Sequence, residues 1–201
     1  MNGTGLNFAD RLIAGLRLTN RIVGGLLGLL LAATVAFVIA DVLMRRLSRS
    51  LGGSDELSGY AMAIMASWGA AVALTERAHV RIDLLRQGLA ARGRALMDLI
   101  AMTALGGVAL VVAYQAWPVL EKSLARGSRA NTPLETPLWI PQGLWFAGWV
   151  WFALSAAVML AAALLIAARA DWPRLETAIG MAHEGDEALA EARSLAAGEA
   201  R

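Results

Sequence analysis

The amino-acid sequence predicts an all-α integral membrane protein, with four transmembrane helices and one or two amphipathic interfacial helices. Of its 201 residues, 58% are hydrophobic and only 17% are charged, whereas soluble domains average about 25% charged residues. The basic residues lie between long apolar runs, and the net charge is only +2, so no nucleic-acid partner is expected. The absence of cysteine excludes thiol catalysis, iron–sulfur clusters and disulfide frameworks.

Four apolar runs predict the spans, at residues 22–42, 57–74, 99–117 and 144–168. The first is about 31 Å long as a helix, enough to cross a hydrocarbon core of about 30 Å. It exceeds the apolar part of a signal peptide, which is about 7–15 residues, so we expect it to be retained. The fourth run begins among tryptophans, as in an interfacial aromatic belt. These are Trp139, Trp145, Trp149 and Trp151.

Two segments outside the spans have helical amphipathic patterns. In Leu6–Asn20 the apolar residues Leu12, Ile13 and Leu16 recur at helical spacing, and in Ile82–Leu96 leucines alternate with arginines. Such helices can lie in the headgroup layer. An ordinary juxtamembrane loop is the alternative for each.

The distribution of basic residues predicts the orientation. The segments 1–21, 75–98 and 169–174 together hold ten arginines, whereas the two loops on the other side hold six basic residues. Cytoplasmic segments carry the excess of Lys and Arg. We therefore expect a cytoplasmic N-terminal segment (1–21), a four-helix domain (22–168) and a cytoplasmic C-terminal tail (169–201), with loops 43–59 and 118–138 in the periplasm.

The spans offer little for catalysis. Their cores contain no Asp, Glu, Lys, Arg or His, and we expect Asp41 and Asp98 to lie near water at span ends. The two histidines, His79 and His183, lie in loops, and no nucleotide, zinc or nucleophile motif is present. The sequence therefore predicts no enzyme and no catalytic, cofactor or metal site.

Small residues in the spans instead indicate close helix packing. Gly24 and Gly28 form a small-xxx-small pair in the first span, and Ser67 and Ala71 form another in the second, beside Gly69. Such pairs let helix backbones approach closely in lipid. Packing within this bundle and packing against another subunit are equal alternatives.

Polar clusters mark the ends of the spans. Ser54 is expected to cap the second span, with Asp55 and Glu56 favouring the positive end of that helix; capping is preferred over a binding site. Trp139 lies at the expected interface, just before Pro141 near the start of the fourth span.

A third cluster, His79-Val80-Arg81-Ile82-Asp83, follows the second span. His79 and Asp83 are four residues apart, so on a helix they share a face and can pair with each other or with Arg81. A metal site would need more ligands than the chain supplies, so structural pairing is the preferred interpretation.

In their order relative to four spans, these clusters resemble the small membrane subunit of tripartite ATP-independent periplasmic (TRAP) transporters, the DctQ family. The resemblance runs from about Asp41 to Gly148 and includes Arg45, the His79–Asp83 cluster and Pro137-Leu138-Trp139. The sequence departs from the family where Gly53 replaces a frequent Trp and Arg46 a frequent aromatic residue.

The resemblance implies a non-catalytic small permease subunit in a bacterial inner membrane. Its implied partners are a large multispan permease subunit, which carries the substrate and coupling ions, usually Na⁺, and a periplasmic binding protein that delivers an organic acid. A self-sufficient small carrier or channel acting as an oligomer is the alternative, but it would need a polar residue in a span core. A membrane anchor for a redox enzyme would need histidines in the spans.

The loops predicted to be periplasmic carry the candidate contact residues. Basic residues there can steer an acidic binding protein, and acidic ones a basic partner. For Arg45 and Arg46, snorkelling to lipid headgroups is an equal alternative, and membrane lipids are expected partners in any case. The candidates are Arg45, Arg46, Arg49, Asp55, Glu56, Lys122, Arg126 and Arg129.

Overall fold

The computed structural model describes residues 4–47, 49, 52–76, 89–132, 134–169, 172 and 174–175. It contains four long helices: α1 (Thr4–Arg46), α2 (Ser54–Thr75), α3 (Ala91–Arg126) and α4 (Trp139–Ala167). All four are long and apolar enough to cross a membrane. The predicted all-α membrane fold with four transmembrane helices is therefore confirmed.

The helices extend beyond the apolar runs that predicted them. α1 continues without a break from the amphipathic N-terminal segment into the first span, so that segment is not a separate helix. α3 passes through Pro118 to Arg126, although a loop was expected from residue 118. Proline is tolerated in transmembrane helices, and Lys and Arg favour helix. Lys122 and Arg126 consequently lie on the last turns of α3 rather than in a loop.

α3 ends at a glycine in the left-handed conformation. Gly127 has φ 58°, its N–H donates to the Leu124 carbonyl at 3.4 Å, and the Ser128 N–H donates to the Ser123 carbonyl at 3.1 Å. These bonds satisfy carbonyls that the helix end leaves free. The chain then turns into the α3–α4 loop.

α4 is the central helix of the bundle. It packs against each of the other three, α1 also packs against α2, and within the described residues α3 touches only α4. The core along α4 is built from small and flexible side chains, including Ala156, Met159 and Ile166, with Met102 of α3 opposite. Such residues allow close helix approach where lipid supplies no hydrophobic driving force.

α2 and α4 approach closely at Gly148. A Cβ at this position would overlap Ser67 and lie 2.7 Å from Cδ1 of Trp68. The Trp68 indole N–H donates to the Leu144 carbonyl at 2.9 Å. Glycine is therefore needed at position 148 for the observed spacing.

The three glycines predicted to mediate packing have different surroundings. A Cβ at Gly24 would lie 3.5 Å from Val72 of α2, and one at Gly69 would lie 4.0 Å from Leu27 of α1, both ordinary contacts. A Cβ at Gly28 would meet nothing within 4 Å. Gly24 and Gly69 thus line the α1–α2 contact, whereas Gly28 faces away from this chain.

The first turns of α1 and the segment that follows α4 both join the core of the bundle. Ile13 and Leu16 of α1 are buried in one cluster with Leu175, and Trp172 packs against that cluster. Arg174 forms an ion pair with Asp10. The apolar face predicted for Leu6–Asn20 is therefore covered at least in part by the segment that follows α4.

Candidate partner-binding site

Most predicted contact residues lie at one end of the bundle, which we call the loop edge (residues 41–60 and 122–139). The loop edge comprises the α1–α2 turn, the start of α2, the end of α3 and the α3–α4 loop. The His79, Arg81 and Asp83 cluster lies outside the described residues.

A buried carboxylate organises the α1–α2 turn. Asp41 is fully buried; its Oδ2 accepts hydrogen bonds from Arg45 Nε at 2.9 Å and from Ser54 Oγ at 2.7 Å. Arg45 Nη2 lies 2.7 Å from the same oxygen and donates to Ser54 Oγ at 3.0 Å. A buried charge is tolerable only when it is paired in this way.

Two expectations about this turn are wrong. Asp41 does not lie near water, because Arg45 and Ser54 cover it; Asp98 at the other end of the bundle is buried as well, at 2% exposure. Ser54 does not cap α2, because Gly53 holds the capping position and no side-chain cap bond is present. The Ser54 hydroxyl donates to Asp41 instead, and so ties α2 to α1.

A second polar contact holds the α3–α4 loop over the start of α2. Glu56 accepts a hydrogen bond from the Tyr60 hydroxyl at 2.7 Å and another from the Thr132 hydroxyl. Beside it, Gly53 has φ +73°, and a Cβ there would overlap Leu134. Glu56 therefore has an internal structural role in addition to its predicted role as a contact residue.

The α3–α4 loop is a compact hairpin. Residues 129 and 137 form an antiparallel bridge, with the Ala130 N–H donating to the Thr136 carbonyl at 2.9 Å and the Leu138 N–H to the Ser128 carbonyl at 3.0 Å. The Arg129 guanidinium donates to the Glu135 carbonyl at 3.3 Å. A partner would therefore meet a preformed surface at this loop.

Around these contacts the loop edge presents exposed charges to solvent. Trp139, which begins α4, is 48% exposed. Arg45 is also exposed, although its guanidinium holds Asp41. The other exposed charged candidates are Arg46, Arg49, Asp55, Lys122, Arg126 and Arg129. The loop edge therefore offers a mainly cationic surface, carried by the ends of α1 and α3 and by the adjoining loops.

A buried polar node lies at the opposite end of the bundle and was missed from the sequence. Asn20 Nδ2 donates to the Ala71 carbonyl at 2.9 Å and contacts Thr75 Oγ1 at 3.3 Å, while Trp151 Nε1 donates to Asn20 Oδ1 at 2.8 Å. Asn20 is fully buried. One side chain thus joins α1, α2 and α4.

A signal for this node was present in the sequence. Asn20 follows Ile13 and Leu16 at helical spacing, so it falls on the apolar face of the N-terminal segment. Trp151, by contrast, was assigned to the aromatic belt. It lies about 18 Å along α4 from Trp139 at 1.5 Å per residue, and its bond to Asn20 places it away from that belt.

The bundle and its paired polar residues define a multi-pass helical membrane protein. Residues 34–166 match the family described as tripartite ATP-independent periplasmic transporters, DctQ component. The match covers more than half of the chain, and the protein therefore belongs to the DctQ family, the small permease component of these transporters. A search among curated proteins and one among solved structures gave no significant match.

Proposed function

We propose that this DctQ component is the non-catalytic small permease subunit of a secondary transporter for organic acids, driven by a Na⁺ gradient. It braces the large multispan permease subunit and helps to dock the periplasmic binding protein. It does so in a bacterial inner membrane, with both termini in the cytoplasm. Family membership supports the transport role, and the excess of arginine on one side supports the orientation.

The observation that carries the bracing role is the outward face of α1. Ile22, Leu26 and Leu29 recur at helical spacing and are 58%, 61% and 68% exposed. Gly28, with open space in front of it, shares its side of α1 with Leu31 and Val35, which are 50% and 48% exposed. A small residue on an apolar helix face allows a second helix to approach closely. The large subunit is the proposed occupant of this face.

The loop edge supports the docking role. Lys122 and Arg126 are exposed on the last turns of α3, and Arg129 is exposed on the adjoining loop. The contact between Glu56 and Thr132 fixes this loop on α2. Cations on a preformed surface steer an acidic protein more than they set its affinity.

The buried acids support a non-catalytic subunit. Asp41 is held by Arg45 and Ser54, and Asp98 also has an interaction partner. A self-sufficient carrier would need an ionisable group that can exchange its partners for a coupling ion. The paired state of Asp41 argues against that alternative.

Reconstitution in liposomes tests the proposed function. The chain alone, the chain with the large subunit, and both with the binding protein are compared for uptake of radiolabelled organic acids under a Na⁺ gradient. We expect uptake only from the full set, and loss of uptake when K⁺ replaces Na⁺. Uptake by this chain alone would contradict the proposal and favour the self-sufficient carrier.

A further inference from the structure

Arg17 of α1 is a half-buried arginine for which the described residues supply no partner. Its Nε is shielded from solvent and makes no hydrogen bond. A guanidinium carries five N–H donors and accepts no hydrogen bond, and a buried donor left unpaired is costly. Such exceptions in folded proteins call for an explanation, of which a missing ligand is one.

Two acceptors near Arg17 along α1 are already used. The Asn20 oxygen, one turn away, accepts from Trp151. Asp10, two turns before Arg17, pairs with Arg174. Within the described residues, no acidic side chain forms an ion pair with Arg17. The missing acceptor therefore has to come from outside the described chain.

The position of Arg17 along α1 indicates what that acceptor is. Arg17 precedes Ile22, the first residue of the predicted apolar span, by five residues, or about 7.5 Å at 1.5 Å per residue. The headgroup layer on each side of a bilayer is about 5–8 Å thick. Arg17 therefore lies at the depth of the lipid phosphates, whichever side of the membrane this end faces.

A second cation strengthens the site. Arg21 lies one turn further along α1, is exposed, and is four residues from Arg17, so the two side chains are neighbours on the helix surface. Two neighbouring cations without a shared carboxylate repel each other, and an anion between them removes that cost. The planar fork of arginine suits a phosphate, which offers two oxygens at once.

We propose that Arg17, assisted by Arg21, binds the phosphate of an anionic phospholipid at this end of the bundle. The guanidinium of Arg17 donates to the phosphate oxygens, and Arg21 supplies a second positive charge from the solvent side. The lipid would sit beside the Asn20 node that joins α1, α2 and α4. This site is independent of the proposed transport and docking roles.

Native mass spectrometry of the purified full-length chain tests the site. The chain is titrated with phosphatidylglycerol, and separately with phosphatidylcholine, whose choline cation opposes binding. We expect Arg17→Gln to weaken phosphatidylglycerol binding about tenfold, which corresponds to one lost charge-assisted hydrogen bond. Arg17→Lys keeps the positive charge but not the planar fork. Its affinity for phosphatidylglycerol should therefore lie between those of the wild type and Arg17→Gln.

Arg11→Gln is the matched control, because Arg11 is an exposed arginine on the same helix, further from the apolar span. Unchanged binding by Arg17→Gln, or an equal loss in Arg11→Gln, would overturn the proposal. Unfolding temperatures of the lipid-free variants show whether Arg17→Gln is folded. If it is not, the binding of phosphatidylglycerol by Arg17→Lys is the test. An affinity equal to that of the wild type would then overturn the proposal.

A titration with inorganic phosphate distinguishes a site for a lipid phosphate from a site for free phosphate in solution. We expect phosphatidylglycerol to raise the unfolding temperature of the wild type more than that of Arg17→Gln, with inorganic phosphate giving no such difference. An Arg17-dependent rise with inorganic phosphate and none with the lipid would assign the site to a soluble phosphate and overturn the lipid assignment.

Discussion

Asn20 links three helices through one amide group, because its oxygen and its nitrogen both have partners on other helices. Leucine has a similar size but no polar atoms, so Asn20→Leu leaves the Trp151 indole N–H without its acceptor. We expect this change to lower the free energy of unfolding by about 1–2 kcal/mol. Chemical denaturation of the purified chain in one detergent measures it.

Thr19→Val is the control for this prediction. Thr19 is the neighbouring residue and is exposed; within the described residues its hydroxyl donates to the Gly15 carbonyl of its own helix and to no other helix. It should have little effect on the free energy of unfolding. Equal losses in both variants would mean that the Asn20 contacts do not stabilise the bundle.

Gly52 and Gly53 are adjacent residues with φ of +72° and +73°, but their surroundings differ. Gly52→Ala adds only backbone strain, about 1–2 kcal/mol, because its Cβ meets nothing. Gly53→Ala adds a clash with Leu134 as well, so we expect it to be the more destabilising in the same denaturation assay. Leu134→Ala should partly rescue Gly53→Ala and leave Gly52→Ala unimproved; no rescue would show that the loop does not rest on Gly53.

The start of α2 shows which roles of single residues could be predicted from the sequence. Ser54, Asp55 and Glu56 were correctly recognised as the start of a helix from their place before an apolar run, although the expected cap by Ser54 is absent. Their long-range contacts were not predictable: Ser54 reaches Asp41 across the turn, and Glu56 reaches Thr132 seventy-six positions away. Pairings of that kind depend on how the helices are arranged, which the sequence does not state.

At the scale of helices, α2 and α4 approach so closely at Gly148 that a single added methyl group would overlap Ser67. Gly148→Ala should push α2 away and cost about 1–3 kcal/mol, as overpacking does. Gly28→Ala, on the open face of α1, should change stability by at most about 1 kcal/mol, in the stabilising direction. Thermal unfolding of the isolated chain checks both values.

A larger substitution at Gly28 tests whether the outer face of α1 binds the large subunit. If the large subunit covers the outer face of α1, Gly28→Leu should reduce its co-purification with this chain, while the unfolding temperature of the isolated chain should not fall. Full co-purification would show that the large subunit does not approach at Gly28, and the face would then be assigned to lipid.

Helices were predicted better than their ends. The predicted span 57–74 differs from α2 (Ser54–Thr75) by three residues at one end and one at the other, whereas 99–117 falls well short of α3 (Ala91–Arg126) at both ends. Hydropathy marks the part of a helix that suits lipid, but backbone hydrogen bonding continues through arginines that tolerate helix well. The continuity of α1 was hidden for the same reason.

At the scale of the whole molecule, α3 has one exposed arginine near each end, and this allows a controlled test of docking. Arg126 is exposed at the loop edge and Arg92 is exposed at the opposite end. If the loop edge receives the binding protein, Arg126→Glu should slow uptake by the reconstituted transporter several-fold at limiting binding protein. Arg92→Glu should not slow it.

If Arg126 acts by electrostatic steering, the defect of Arg126→Glu should depend on salt and on the concentration of the binding protein. A charge that steers encounter acts through the association rate and is screened over a Debye length of about 8 Å at physiological salt. The defect of Arg126→Glu should therefore shrink as salt or binding-protein concentration rises, while the maximal rate and the assembly of the membrane complex stay unchanged. A defect that persists at saturating binding protein would place Arg126 in the transport step, and a defect in Arg92→Glu alone would reverse the proposed orientation.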